Sequence, residues 1–508
     1  MSHRLATTLL PFVLLTVPCI RAQTKETTMP DMPGMEMQSM QMPAQQNTPA
    51  TPMSMDMNMM KPPTTLIETE LNHTNSGTSI EPASTPTSMI MSHHAGWMLM
   101  LHGTAFITDI QQHAASNPTG PLPATCAQFN VPCTPPVIRG GDKFFSTNWL
   151  MPMAMRPLGQ NGRYGQLTLR AMFSLEPATI SARQYPELFQ QGETAFGKPI
   201  IDGQHPHDFF MEVAALYDLR LGERTLLSFY AAPIGDPAIG PTAYPHRQSA
   251  SEDPIAALGH HQQDSTHIAF NVFTGGITWR WLRFEESGFH GAEPTEQRWG
   301  FQPSPNGHAV DSYSSRITFS PTPNWATQYS IAHIVSPEAL YPNENQQRQT
   351  ASIMYNRPIG AHHDTTSMPG MDMATPATGN WSTTLLWGRT KSLPQNGNDS
   401  SIENSYLLES LLNFHTRNYV WTRIEDAGRS NELLLPPGSP LPLNFTESPI
   451  GHVAAYSFGY DRDFAIIPHI LTAPGAQFTT YTTPAALVST YGSHPFGVVA
   501  FVRFRIAN

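Results

Sequence analysis

From Gly96 to the end of the chain, apolar residues recur at every second position in run after run. Residues 167–175 set Leu167, Leu169, Ala171, Phe173 and Leu175 on one face and Thr168, Arg170, Met172 and Ser174 on the other. Residues 496–506 repeat the scheme, and near 210–218 Phe210, Glu212, Ala214, Leu216 and Asp218 alternate with Met211, Val213, Ala215 and Tyr217. A period of two with arginine or glutamate on one face predicts half-buried strands. About sixteen such runs are legible, over 97–110, 144–156, 164–175, 209–219, 224–234, 265–274, 276–286, 310–320, 324–335, 348–357, 380–390, 403–415, 418–425, 452–463, 467–480 and 495–506. Most have the length that a tilted strand needs to cross a bilayer, about nine to eleven residues. The connections alternate long and short, with short turns near 157–163, 220–223, 275, 321–323, 416–417 and 464–466. A soluble sandwich has no reason to do this, whereas outer-membrane barrels carry short periplasmic turns and long outer loops. The expected fold is all-β, a transmembrane antiparallel up-and-down β-barrel of about sixteen strands with a disordered N-terminal tail. Trp97, Phe144, Phe145, Trp149, Phe209, Phe210, Trp279, Trp281, Trp325, Trp381, Trp387, Tyr419 and Trp421 lie near strand ends and are candidates for its aromatic girdles. Arg170, Glu212, Glu409, Arg423, Glu425, Arg503 and Arg505 are expected in the lumen as wall salt bridges.

Upstream of Gly96 the pattern is different. A basic start, an apolar run from Leu5 to Ile20 and Arg21-Ala22-Gln23 predict a secretory signal, residues 1–22. Residues 23–95 are rich in Met, Pro, Thr, Ser and Gln, and are expected to be a disordered periplasmic tail because they offer little apolar surface to bury. Residues 96–508 are the expected barrel. Charged residues make up 13% of the chain, the net charge is −11 and no basic stripe occurs, which excludes nucleic acid as a partner. Cys126 and Cys133 suit a loop disulfide in an exported protein.

The tail holds Met29, Met32, Met35, Met37, Met40, Met42, Met53, Met55, Met57, Met59 and Met60 with almost no large apolar neighbour. Methionine usually fills gaps in a core, and here there is no core to fill. Thioethers are soft ligands, so the tract points to Cu(I). His362, His363, Met368, Met371 and Met373 repeat the chemistry in the connection 358–379, which the strand count places on the same side as the tail. Two outer-loop clusters, His205, His207 and Asp208, and His260, His261 and His267, offer imidazole and carboxylate, which suit Cu(II) or Zn(II). Each also has a plainer reading, as polar side chains that satisfy loop backbone.

The segments Met32-Pro33-Gly34-Met35-Glu36-Met37, Met53-Ser54-Met55-Asp56-Met57 and Met368-Pro369-Gly370-Met371-Asp372-Met373 are similar to the Met-rich segments of bacterial copper-resistance proteins. Together with a signal peptide and a C-terminal barrel, the layout resembles the copper-resistance protein B family of the outer membrane. The resemblance covers the tail and the architecture, not the barrel residue by residue. It implies copper binding for resistance or transport, with outer-membrane lipid, copper ions and periplasmic copper proteins as partners and no catalytic residues. Three other readings stay open at this point. The chain could be a porin-like channel for another solute, or a barrel enzyme acting on lipid or glycan through His205, His207, Asp208 and His267. It could also be an exported soluble β-protein.

Overall fold

The computed structural model describes residues 63–114, 128, 131, 138–264, 269–360, 362–363, 374–375, 377–395 and 400–507. Sixteen strands make the wall: β1 (Trp97–Ala114), β2 (Arg139–Pro157), β3 (Gln166–Phe173), β4 (Phe210–Gly222), β5 (Thr225–Gly235), β6 (Ala269–Trp279), β7 (Leu282–His290), β8 (Ser312–Phe319), β9 (Trp325–Ile334), β10 (Glu344–Ile359), β11 (Gly379–Pro394), β12 (Ile402–Phe414), β13 (Asn418–Ser430), β14 (Pro449–Arg462), β15 (Ile470–Thr482) and β16 (Phe496–Ile506). Each pairs antiparallel with the next, and β16 returns to β1 with Thr104 opposite Arg505 and His113 opposite Phe496. Closure leaves every wall strand paired on both sides, which is what a strand in hydrocarbon requires.

The period-two pattern maps onto this wall. Leu169, Phe229, Ile277, Phe284, Ile317, Ile353, Leu385 and Phe458 are exposed on its outside, while Arg170, Ser228, Thr278, Arg283, Arg316, Ser352, Thr384 and Ser457 are buried on its inside. Trp279, Trp281, Phe319, Trp325, Trp381 and Phe414 form an outward aromatic row at the end carrying the short turns. Four of the other expected girdle residues pack against interior groups instead. Phe145 stacks on Tyr185 inside the barrel, Trp149 lies against His246, and Tyr419 lies under Arg503 and Arg505. Trp421 is 2% exposed and donates to Gln477 from Nε1 at 2.9 Å. Its ring occupies the space beside Gly459, where any Cβ would sit 2.1 Å from it.

The turn expected near residue 275 is instead at 280–281, where Arg280 adopts a left-handed φ of 56°. Gly275 and Gly276 continue β6. A Cβ on Gly276 would meet Ser228 Oγ at 2.6 Å, so this glycine makes room for side chains in the lumen rather than for a turn.

Order also begins earlier than expected. Residues 63–94, assigned from the sequence to the tail, are folded. Residues 66–72 form a short helix, where Thr65 Oγ1 accepts from Glu68 N–H at 3.2 Å and the Glu68 carboxylate accepts from Thr64 N–H at 2.7 Å, close to a capping box. This segment plugs the lumen. Arg170 bonds Glu212 at 2.7 Å and donates to the carbonyls of His73 at 2.8 Å and Asn75 at 2.6 Å. Arg283 bonds Glu70 at 3.2 Å and Thr78 O at 2.9 Å, and His73 Nε2 lies 2.6 Å from Asp218. Residues 90–94 then pair with the start of β1.

Residues 174–209 and 236–264 add to the filling. Arg247 reaches Glu409 at 2.8 Å, Asp253 meets Arg423 at 2.9 Å, and Glu252 meets Arg503 at 2.6 Å. The wall charges expected to bridge one another therefore bridge the plug and the loops as well. Six apolar clusters lie within this framework. One, on β1 to β4 and residues 89–91, is built from Met89, Met91, Met98, Met100, Met151, Met153, Met155, Met172 and Met211 with Ile234 and Phe270.

Candidate functional site in the filled lumen

Two histidine motifs that are far apart in sequence meet inside the loops. Glu193 and His205 lie in the connection from β3 to β4, and His261 lies in a one-turn helix, His260–Gln263, between β5 and β6. His205 Nε2 is 3.2 Å and His261 Nε2 is 3.5 Å from Glu193 Oε1. One ligand atom from each of the three lies within 4.8 Å of the others. Two ligands about 2.05 Å from a tetrahedral ion lie about 3.3 Å from one another. The two spacings to Glu193 are compatible with coordination edges as well as with ion pairs, and the donors are two imidazoles and a carboxylate, the set that suits Cu(II) or Zn(II). Burial pushes the His261 imidazolium down to about 3, which favours the neutral ring that metal binding requires. His205 Nδ1 lies 2.8 Å from Pro206 O, a second contact that fixes the ring's orientation.

A cavity of about 70 Å³ borders His261 and is lined by Glu293, Glu338, Glu344, Glu403 and Glu447 together with Arg348 and Arg429. Burial and then neighbouring carboxylates push the carboxyls of Glu293 and Glu338 well above their usual range. Arg298, 3.8 Å from Glu193 and 3.3 Å from Asp208, holds the opposite flank.

The other histidine candidates stand apart from the trio. The His260 ring meets that of His261 edge-on at 4.0 Å between centroids, but its Nε2 lies 3.1 Å from both Gln190 Nε2 and Gln204 Oε1. Asp208 is engaged by Arg298. His207 Nδ1 lies 2.9 Å from Glu176, and its Nε2 is 3.4 Å from Tyr244 Oη. Burial opposes a charged imidazole at His207, yet the charge and hydrogen bond of Glu176 outweigh it and hold the ring above its ordinary value. This pair has the form of a base and its orienting carboxylate. The hydroxyl it faces is a poor partner for chemistry, because burial pushes the Tyr244 phenol well above its usual range.

His207 and Tyr244 also line a larger cavity of about 420 Å³, with Glu176, His102, Trp149 and His246. At the end with the short turns its lining includes Pro63, Pro358, Ala377 and Thr416. The first residue of the described stretch 63–114 and both flanks of the connection carrying the second Met/His segment therefore line one cavity. From this cavity a row of rings leads to the trio: His207 to Tyr244 at 6.0 Å, Tyr244 to His260 at 5.4 Å, and His260 to His261.

His362 and His363 pair in a two-residue ladder with Ala374 and Thr375 between β10 and β11. Met29 to Met60, His267, Met368, Met371, Met373, Cys126 and Cys133 lie outside the described residues. Sequence reasoning missed Glu193, a lone acid twelve positions before His205 with no motif around it. It also missed the methionine cluster, whose signal is present in the sequence: Met98 and Met100, then Met151, Met153 and Met155, each spaced by two on a strand.

No family model and no curated protein matches the chain. Among solved structures it is similar to a porin refined at 1.8 Å resolution, at 10% identity and a TM-score of 0.36, covering 80% of this chain and 100% of that one. It is also similar to OmpT, an outer membrane protein of Vibrio cholerae, at 7% identity and a TM-score of 0.41, covering 82% and 99%. A third is the outer membrane channel DcaP of Acinetobacter baumannii, at 7% identity and a TM-score of 0.40, covering 83% and 100%. These likenesses are remote; the closed barrel stands on its own strand pairing.

Proposed function

We propose that this chain is a copper-binding barrel of a Gram-negative-type outer membrane, contributing to copper resistance or transport. The outward apolar band and aromatic row support the location, and the usual asymmetry of such barrels supports assigning the end with the short turns to the periplasm. The observation that carries the metal reading is the meeting of His205 and His261 on Glu193 beside an acidic cavity. The Met-rich tract 29–60 is joined through Lys61 and Pro62 to Pro63, which lines the larger cavity, and Pro358 and Ala377, which flank the segment 368–373 in sequence, line it too. Thioethers tethered there raise the local concentration of captured Cu(I) beside it. Imidazole and carboxylate deeper in the lumen suit the harder ion. The filled lumen weighs against an open porin, because a sixteen-stranded barrel with nothing inside encloses an aqueous channel.

The test is metal titration of the full chain in detergent. Deleting residues 29–60 is expected to lower the number of Cu(I) ions bound per molecule. His205→Ala with His261→Ala is expected to weaken Cu(II) or Zn(II) binding by about two orders of magnitude, as loss of first ligands does when even outer partners cost ten- to a hundredfold. Unchanged Cu(I) stoichiometry without the tract, together with unchanged Cu(II) and Zn(II) affinity in the double variant, would sink the copper reading.

A further inference from the structure

We infer that the methionine-lined sector of the barrel wall is itself a binding site for a soft monovalent metal ion, Cu(I) or Ag(I). Ten methionines fall among the described residues, and nine of them, all but Met354, belong to this one cluster. The other five apolar clusters contain none and are filled by Leu, Ile, Val, Ala, Phe, Tyr and Trp. The barrel therefore has abundant alternatives for filling apolar space and uses them everywhere else. Packing alone gives no reason to confine thioethers to one sector.

The register places them as ligands would need to be. Met98 is opposite Met155, Met100 opposite Met153, and His102 opposite Met151 on the β1–β2 ladder. Directly opposed residues share a face, with Cβ atoms about 4.5–5.5 Å apart, within reach of long flexible side chains. Met100, His102, Met151, Met153 and Met155 are all buried, and their neighbours Leu99 and Leu150 point outward. The result is a row of thioethers closed by one imidazole. Sulfur ligands with a single imidazole select Cu(I) over harder ions, and a neutral ligand set adds no buried charge of its own.

The row is also reachable. His102 and its edge-on neighbour Trp149, 5.3 Å away between ring centroids, line the 420 Å³ cavity, as does Ser88, the residue before Met89. His102, which borders this cavity and stands opposite Met151, joins it to the row of thioethers. The choice of metal rests on the copper reading above, but the residues tested here are distinct from the tract and from the histidine trio.

The experiment uses the chain lacking residues 29–60, purified in detergent, titrated with Cu(I) against a chromophoric chelator and with Ag(I) as a redox-inert probe. This protein is expected to retain Cu(I), with sulfur in the metal's first shell by X-ray absorption. Replacing Met98, Met100, Met151, Met153 and Met155 by Leu conserves volume and is expected to leave the barrel folded. It should lower bound Cu(I) by about one ion per chain or weaken it by at least tenfold, with Ag(I) following. Met153→Leu alone serves if the fivefold variant does not fold, with a smaller loss in the same direction. The inference is overturned if the tract-deleted chain holds no Cu(I), or if the leucine variants hold as much as their parent. Failure of the copper reading shows instead in the tract-deletion and histidine variants, which leave these five methionines intact.

Discussion

Deleting residues 63–88 turns a poorly conducting barrel into a conducting one. That segment is the innermost filling of the lumen, and its contacts are polar: Glu70 with Arg283, His73 with Asp218, Thr78 with Arg316 at 2.8 Å, and Glu81 accepting from Gln248 N–H at 2.8 Å. Its removal leaves Arg170, Arg283 and Arg316 on the wall, where water replaces the lost partners. The wall pairs remain, with Arg170 on Glu212 and both Arg283 and Arg316 on Glu285. The apolar outer face and the strand ladder are untouched, so the barrel persists. A sixteen-stranded wall is wide enough for an aqueous channel. Residues 174–209 and 236–264 stay inside, so the opened pore should conduct less than an unobstructed barrel of this strand count. Single-channel recording in planar bilayers reads this directly. Equal conductance with and without residues 63–88 would show that the segment does not block the path.

Arg170→Ala should be among the most destabilising single substitutions in the chain, by about 3–5 kcal/mol, the usual cost of removing one partner from a buried ion pair. The guanidinium is 2% exposed and bonds Glu212 through two nitrogens, at 2.7 and 2.8 Å, while its remaining donors hold carbonyls of the plug. Without it Glu212 keeps Gly77 N–H at 3.1 Å and Tyr230 Oη at 2.7 Å but loses its counter-ion. Two readouts separate the consequences. Urea unfolding in lipid should show the loss of stability, and limited proteolysis should show residues 63–88 becoming cleavable. Arg170→Met combined with Glu212→Leu should recover much of the barrel's stability, because it removes both charges, without restoring protection of the plug.

The barrel was legible because lipid imposes period two on every strand, and Leu169 with Arg170 or Phe284 with Glu285 displays the two faces within two residues. The turn near 275 was not, because a Gly-Gly pair has the same letters whether it turns the chain or clears space for Arg283. The plug was hidden for a deeper reason. A segment packed into a charged lumen is held by carbonyls and single side chains such as Glu70 and Thr78, and needs no apolar stripe, so its composition is that of a tail. Trp149 sits in the middle of β2 and Trp421 near the start of β13, and the sequence alone gives girdle and interior tryptophans the same appearance. Of the site, the two histidine motifs were visible and their meeting was not, since loops from β3 and β5 converge only through the fold. Glu193 completes them and carries no local signal.

Anomalous diffraction at the copper edge, from crystals of the full chain grown with copper, tests the metal claim most directly. Copper bound by Glu193, His205 and His261 is the expected result. An ordered trio with no anomalous signal, in protein saturated with copper, would contradict it.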